Sequence, residues 1–145
     1  MKARDAMSTD VCIAGPEQTI RDAAQTMIQI DAGALPVGEN DRLIGMITDR
    51  DIVVRAVAEG RSPATKVREV MSSEVLYCFE DEDLDDIARN MSEVKVRRLP
   101  VLNRDKRLVG ILSLGDLARN EDAKTAGRTI AHISEEGGMH SQTPH

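Results

Sequence analysis

Aromatic side chains are almost missing from this chain: Tyr77 and Phe79 are the only ones in 145 residues, and there is no tryptophan. A surface that stacks nucleobases on aromatic platforms is therefore excluded, and any core must be built from Val, Ile, Leu, Met and Ala. A basic excess is missing too. Nineteen Lys and Arg face 25 Asp and Glu, a formal charge of −6, whereas a partner with a phosphate backbone calls for a basic face. No nucleic-acid partner is expected. No apolar run approaches the roughly 20 residues of a membrane span, and no charged-then-apolar leader opens the chain. No membrane partner is expected, and the expected location is cytoplasmic.

Cysteine is scarce. Cys12 and Cys78 have no CxxC spacing, so reduced thiols filling small apolar sites are expected, with a disulfide as the minor alternative. His132, His140 and His145 lie near the C-terminus at spacings that fit no common metal site, so no metal is expected. No paired carboxylates or nucleophile–base set recur at a recognisable spacing, and the expectation is a protein that is not an enzyme.

What is present is a repeat. At a shift of 64, Arg4 falls on Arg68, Met7-Ser8 on Met71-Ser72, Val11 on Val75, Asp22 on Asp86, Met27 on Met91, and Leu35-Pro36-Val37 on Leu99-Pro100-Val101. One extra residue then enters the second copy. At a shift of 65, Arg42-Leu43 falls on Arg107-Leu108, Gly45 on Gly110 and Asp51 on Asp116. Two copies make a duplicated domain rather than a solenoid.

Each copy reads alike. A brief strand is expected at Val11–Ile13 and at Val75–Cys78. A helix follows, opened in the first copy by a capping box of Thr19 and Asp22. Its apolar stripe is Ile20, Ala23, Ala24, Met27 and Ile28, repeated as Leu84, Ile87, Ala88 and Met91. Two strand-length apolar runs come next, Ala34–Val37 with Leu43–Ile47, and Leu99–Leu102 with Leu108–Leu112, each pair split by turn residues. The proline inside each first run suits a strand start or an edge. A second helix begins after Thr48 and after Ser113, the first ending near Gly60. The expected class is α+β, a duplicated β-α-β-β-α unit. Units this small are marginal alone and should share a core. The expected division is repeat 1 over 1–60, a linker over 61–67, repeat 2 over 68–120, a C-terminal helix over 121–134, and a disordered tail over 135–145.

The chemistry sits after each hairpin: Gly45-Met46-Ile47-Thr48-Asp49-Arg50-Asp51, and Gly110-Ile111-Leu112-Ser113-Leu114-Gly115-Asp116. This is a strand running into a helix N-terminus. The hydroxyl of Thr48 or Ser113 can bond a phosphate or ribose, and the aspartate one turn in can accept both ribose hydroxyls. The same residues also make simple helix caps, and both roles can hold together. Arg50, Arg97 and Arg98 are candidate phosphate contacts, with Lys95 beside them, and a solvated surface is the equal alternative. Ala34, Val11 and Val75 complete the candidate set.

On these motifs the sequence resembles a tandem CBS-domain pair, or Bateman module, over residues 1 to about 120. The segments Ala34-Leu35-Pro36-Val37, Thr48-Asp49-Arg50-Asp51-Ile52 and Arg97-Arg98-Leu99-Pro100-Val101 carry the likeness, and Asp31-to-Val37 resembles small stand-alone bacterial pairs. The resemblance implies a pseudo-twofold pair with clefts that bind AMP, ADP, ATP, NAD-type ligands or S-adenosylmethionine. It also implies homodimerisation, no obligatory cofactor, and a regulatory, non-catalytic action on a downstream protein. It would give one ribose to Thr48 and Asp51 and the other to Ser113 and Asp116. The alternative is a structural or protein-interaction CBS module that binds no nucleotide.

Overall fold

The computed structural model describes residues 1–94 and 97–120; the expected C-terminal helix and tail, the three histidines and Lys95 lie outside the described residues. The chain divides into two compact units, Cys12–Val75 and Met1–Val11 with the chain from Leu76 onward. The units therefore do not follow chain order at their edges. The opening segment of the first copy belongs to the second unit, and the opening segment of the second copy belongs to the first.

In the Cys12–Val75 unit, α2 spans Ile20–Ile30, β1 Ala34–Glu39 and β2 Arg42–Thr48, with a short α1 (Ala3–Ala6) preceding them in the other unit. Thr19 caps α2 as expected: its side chain accepts from Asp22 N at 3.1 Å, and its own N–H donates to Asp22 Oδ2 at 3.2 Å. The reciprocal bonds satisfy two of the N–H groups that a helix start leaves open. Strands β1 and β2 form an antiparallel hairpin with Ala34 opposite Thr48 and Val37 opposite Gly45. Asn40 and Asp41 turn it with positive φ, a conformation that Asn and Asp tolerate better than most residues. Helix α3 (Asp49–Asp51) continues as a π-helix over Ile52–Val57, and Gly60 follows with φ 73°.

The other unit repeats the plan with β3 (Cys78–Phe79), α4 (Leu84–Val94), β4 (Arg98–Leu102), β5 (Leu108–Ser113) and α5 (Leu114–Asn120). Here β3 lies parallel to β4, and β4 antiparallel to β5. The class is α+β. Each unit has its own core. Leu35, Val37, Ile47, Val67 and Val70 are fully buried in the first, and Ile87, Met91, Val101 and Leu112 in the second.

Several expectations change. Val11–Ile13 is not a strand; pairing is confined to one parallel bridge, Ala14 with Val37. In the second copy the strand starts at Cys78 rather than Val75. Pro100 sits in the central strand of its sheet, not at an edge. Its missing N–H is tolerated because β3 pairs only with Val101 and Leu102, past the proline. The α2 stripe is narrower than its periodicity suggests: Ile20, Ala23 and Met27 are buried, but Ile28 is 81% exposed. Both cysteines are free. Cys78 is buried, and the apolar surroundings together with the Glu82 charge push its thiol up to about 12, so it stays protonated; Cys12 is exposed rather than a core filler.

The exchanged segments are held in matching ways. Val67 N donates to Gln18 O and Arg68 N to Pro16 O, just as Ala3 N donates to Glu82 O and Arg4 N to Glu80 O. Each segment then runs beside the second hairpin strand. Ser72 exchanges two backbone bonds with Met46, and Ser8 exchanges two with Ile111, all at 2.9 Å. These contacts explain the glycine in each motif. A Cβ on Gly45 would lie 2.7 Å from Ser72 O and 2.8 Å from Met71 Sδ; on Gly110 it would lie 2.9 Å from Ser8 O and overlap Met7 Sδ. Only a residue without a side chain lets backbone pass so close to backbone.

Candidate functional site

At the end of β2, Thr48 Oγ1 accepts from Asp51 N at 3.0 Å, and Thr48 N donates to Asp51 Oδ2 at 3.0 Å. At the end of β5, Ser113 Oγ accepts from Asp116 N at 3.2 Å, and Ser113 N donates to Asp116 Oδ2 at 2.9 Å. The cap geometry is thus realised in both units. It also orders the two groups that a ligand would meet. A hydroxyl whose oxygen accepts still has its hydrogen to donate, and a carboxylate whose Oδ2 is engaged still has Oδ1 to accept. A donor and an acceptor held side by side match the hydrogen-bonding needs of a vicinal diol.

The two carboxylates differ. Asp51 Oδ1 accepts no hydrogen bond among the described residues, and Arg55 Nε stands 3.9 Å from it. Arg55 instead donates through Nη1 to the carbonyls of Val70 and Met71, at 3.3 Å each. Asp116 is more enclosed, its side chain 8% exposed, and its Oδ1 is paired with Arg119 Nη2.

Strand register places the other candidates. Ala34 lies opposite Thr48, and Arg98 opposite Ser113. The residues before them close the same corner, with Gly33 O accepting from Asp49 N at 2.9 Å and Arg97 O from Leu114 N at 3.1 Å. A Cβ on Gly33 would fall 2.7 Å from Asp49 Oδ2, an exposed side-chain tip that can swing aside, and the second copy carries Arg97 at this position. Each unit therefore brings its own pre-Leu-Pro-Val segment to its own motif. Arg50, Arg97 and Arg98 are exposed, and their side chains form no ion pair or hydrogen bond among the described residues. Val11 and Val75 are half-buried and outside any strand, at the ends of the two exchanged segments. Sequence reasoning missed Arg55 and Arg119, because arginines one turn past an aspartate on a helix read as ordinary surface pairs. Among the described residues, no group of three or more His, Cys, Asp or Glu is placed to hold a metal ion, and no helix is long and apolar enough to cross a membrane.

The CBS domain family model matches twice, at residues 3–57 and 67–122. The chain belongs to the CBS-domain family. Its two copies make it a tandem CBS pair, and its relatives include stand-alone pairs. It is 43% identical over 132 residues to the CBS domain-containing protein YhcV of Bacillus subtilis, covering 90% of this CBS pair and 94% of the relative. A crystal structure of Hypoxic Response Protein I, a protein of Mycobacterium tuberculosis, contains two coordinated zinc ions. It superposes with a TM-score of 0.75 at 40% identity, covering 83% and 98% of the two chains. A CBS pair from protein MJ0100, in complex with 5-methylthioadenosine and S-adenosyl-L-methionine, superposes with a TM-score of 0.73 at 29% identity, covering 86% and 98%. CBSX2 in complex with AMP superposes with a TM-score of 0.71 at 26% identity, covering 81% and 93%.

Proposed function

We propose that this CBS pair is a regulatory, non-catalytic module that binds an adenosine-containing ligand and passes its state to a partner protein. The observation that carries this reading is the same hydroxyl–aspartate pair at the end of the second hairpin strand in both units. Thr48 with Asp51, and Ser113 with Asp116, would each hold a ribose, the hydroxyl donating and the carboxylate accepting. Arg50, Arg97 and Arg98, whose guanidinium groups are uncommitted, would supply phosphate contacts, which a planar fork of donors makes well. The adenosine ligands of MJ0100 and CBSX2 support the ligand class. AMP, ADP, ATP and S-adenosylmethionine all satisfy it.

A thermal-shift panel of these four, with inosine monophosphate as control, tests the reading. Any ligand that binds the folded chain stabilises it by mass action, by about 2.7 kcal/mol at one hundred times Kd, and so raises the midpoint. No shift from any adenosine ligand at millimolar concentration would favour the other reading, an interaction module that binds no nucleotide.

The module is also proposed to be a homodimer. Val53, Val54 and Val57 are exposed on the π-helix, and Ile28 on α2, more exposed apolar surface than a monomeric face needs. Light scattering should return twice the 15.9 kDa of one chain; a monomer at micromolar concentration would contradict it.

A further inference from the structure

We infer that Arg119 is an internal counter-ion that competes with ligand for Asp116, so that an adenosine ligand takes the first repeat's Asp51 in preference. This rests on the ribose-binding reading of the two aspartates.

Asp116 has both carboxylate oxygens engaged. Oδ2 accepts from Ser113 N at 2.9 Å, and Oδ1 is paired with Arg119 Nη2, while Asn120 Nδ2 donates to Asp116 O at 2.7 Å. The aspartate side chain is 8% exposed and that of Arg119 69% exposed, so the guanidinium meets the carboxylate from the solvent side. A ribose hydroxyl reaching Oδ1 must displace that guanidinium or share the oxygen with it.

Asp51 has no such competitor. The 65-residue shift that superposes the motifs puts Val54 where Arg119 stands and Arg55 where Asn120 stands. Val54 carries no donor. Arg55 directs Nη1 to the carbonyls of Val70 and Met71 and leaves its Nε 3.9 Å from Asp51 Oδ1, beyond hydrogen-bonding distance. The acceptor is ordered by its cap and open on its other oxygen. The two repeats thus share a motif but not its availability, and the difference lies in one side chain one turn beyond the aspartate.

The test is calorimetric titration of AMP, and separately of S-adenosylmethionine, into the full chain as wild type, Arg119→Gln, Arg119→Ala, Asp51→Asn and Asp51→Asn/Arg119→Gln. Because Arg119 is exposed, its variants should melt close to wild type. Wild type should show a tighter site that Asp51→Asn removes. Freeing Asp116 from an ion pair whose guanidinium is exposed should tighten the weaker site about two- to fivefold, seen most cleanly by comparing Asp51→Asn/Arg119→Gln with Asp51→Asn. An unchanged weaker site in both Arg119 variants would overturn the inference while the Asp51→Asn loss upheld the ribose reading. Weaker binding in the Arg119 variants would overturn it too, by making Arg119 a ligand contact. If Asp51→Asn binds like wild type, or no variant binds either probe, the ribose reading itself fails and the inference with it.

Discussion

Asp51→Asn is expected to weaken AMP binding about ten- to hundredfold, with little change in the melting temperature of the ligand-free chain. The amide keeps an oxygen to accept from Thr48 N, so the cap at the start of α3 survives. What would be lost is the carboxylate Oδ1 that the proposed reading gives to a ribose hydroxyl, and a hydrogen bond to a charged acceptor contributes about 1.5–3 kcal/mol. Asp51→Ala also removes the reciprocal bond from Thr48 N, leaving the Thr48 hydroxyl as the cap on the backbone N–H of residue 51, and should lower stability by about 1 kcal/mol in addition. Calorimetry on the two variants separates these effects. Equal affinity for AMP in wild type and Asp51→Asn would remove Asp51 from the ligand site.

The second large effect is on stability. Gly45→Val and Gly110→Val should each cost about 1–3 kcal/mol or more, which lowers the melting midpoint by about 2–4 °C per kcal/mol for a chain near this size. The cause is steric and specific. The new Cβ would strike the carbonyl of Ser72 or Ser8, and backbone cannot swing aside like a side-chain tip. The exchanged segment would have to leave its strand, breaking the paired bonds of Ser72 with Met46 or Ser8 with Ile111. Gly60→Ala is the informative comparison. A Cβ added there would meet nothing within 4 Å, so only its positive φ resists the change, at about 1 kcal/mol. Chemical denaturation that ranks Gly60→Ala as more damaging than either valine variant would contradict this account of the motif glycines.

Much of this architecture is legible in the sequence because it is local. Hairpins announce themselves through apolar runs split by Asn40-Asp41 or Asn103-Arg104-Asp105, and the Thr19–Asp22 box marks a helix start whatever lies around it. The doubled Gly-x-x-hydroxyl-x-x-Asp pattern gives the strand end and helix start of each candidate site. The exchange of opening segments is not legible. It depends on which strand Met7-Ser8 and Met71-Ser72 choose, and the two β-strands on offer, being copies, present nearly the same edge. The duplication that reveals the fold thus conceals the pairing. Periodicity also overstates burial at Ile28, since a stripe at helical spacing says which residues share a face but not how far the covering sheet extends. The π-helix over Ile52–Val57 leaves no composition signal, and with it the placement of Arg55 on the carbonyls of Val70 and Met71 goes unforeseen. At the site, the motif names Asp51 and Asp116 as equals; their inequality comes from Arg119 and Val54, residues outside the motif.

The central claim is that an adenosine ligand binds through its ribose to these aspartates, and a crystal structure of the full chain grown with AMP tests it most directly. The account predicts AMP with its ribose hydroxyls about 2.5–3.0 Å from Asp51 Oδ1 and the Thr48 hydroxyl, the range for such bonds. AMP bound elsewhere on the chain, or density for AMP absent from the Asp51 and Asp116 carboxylates at saturating concentration, would contradict it.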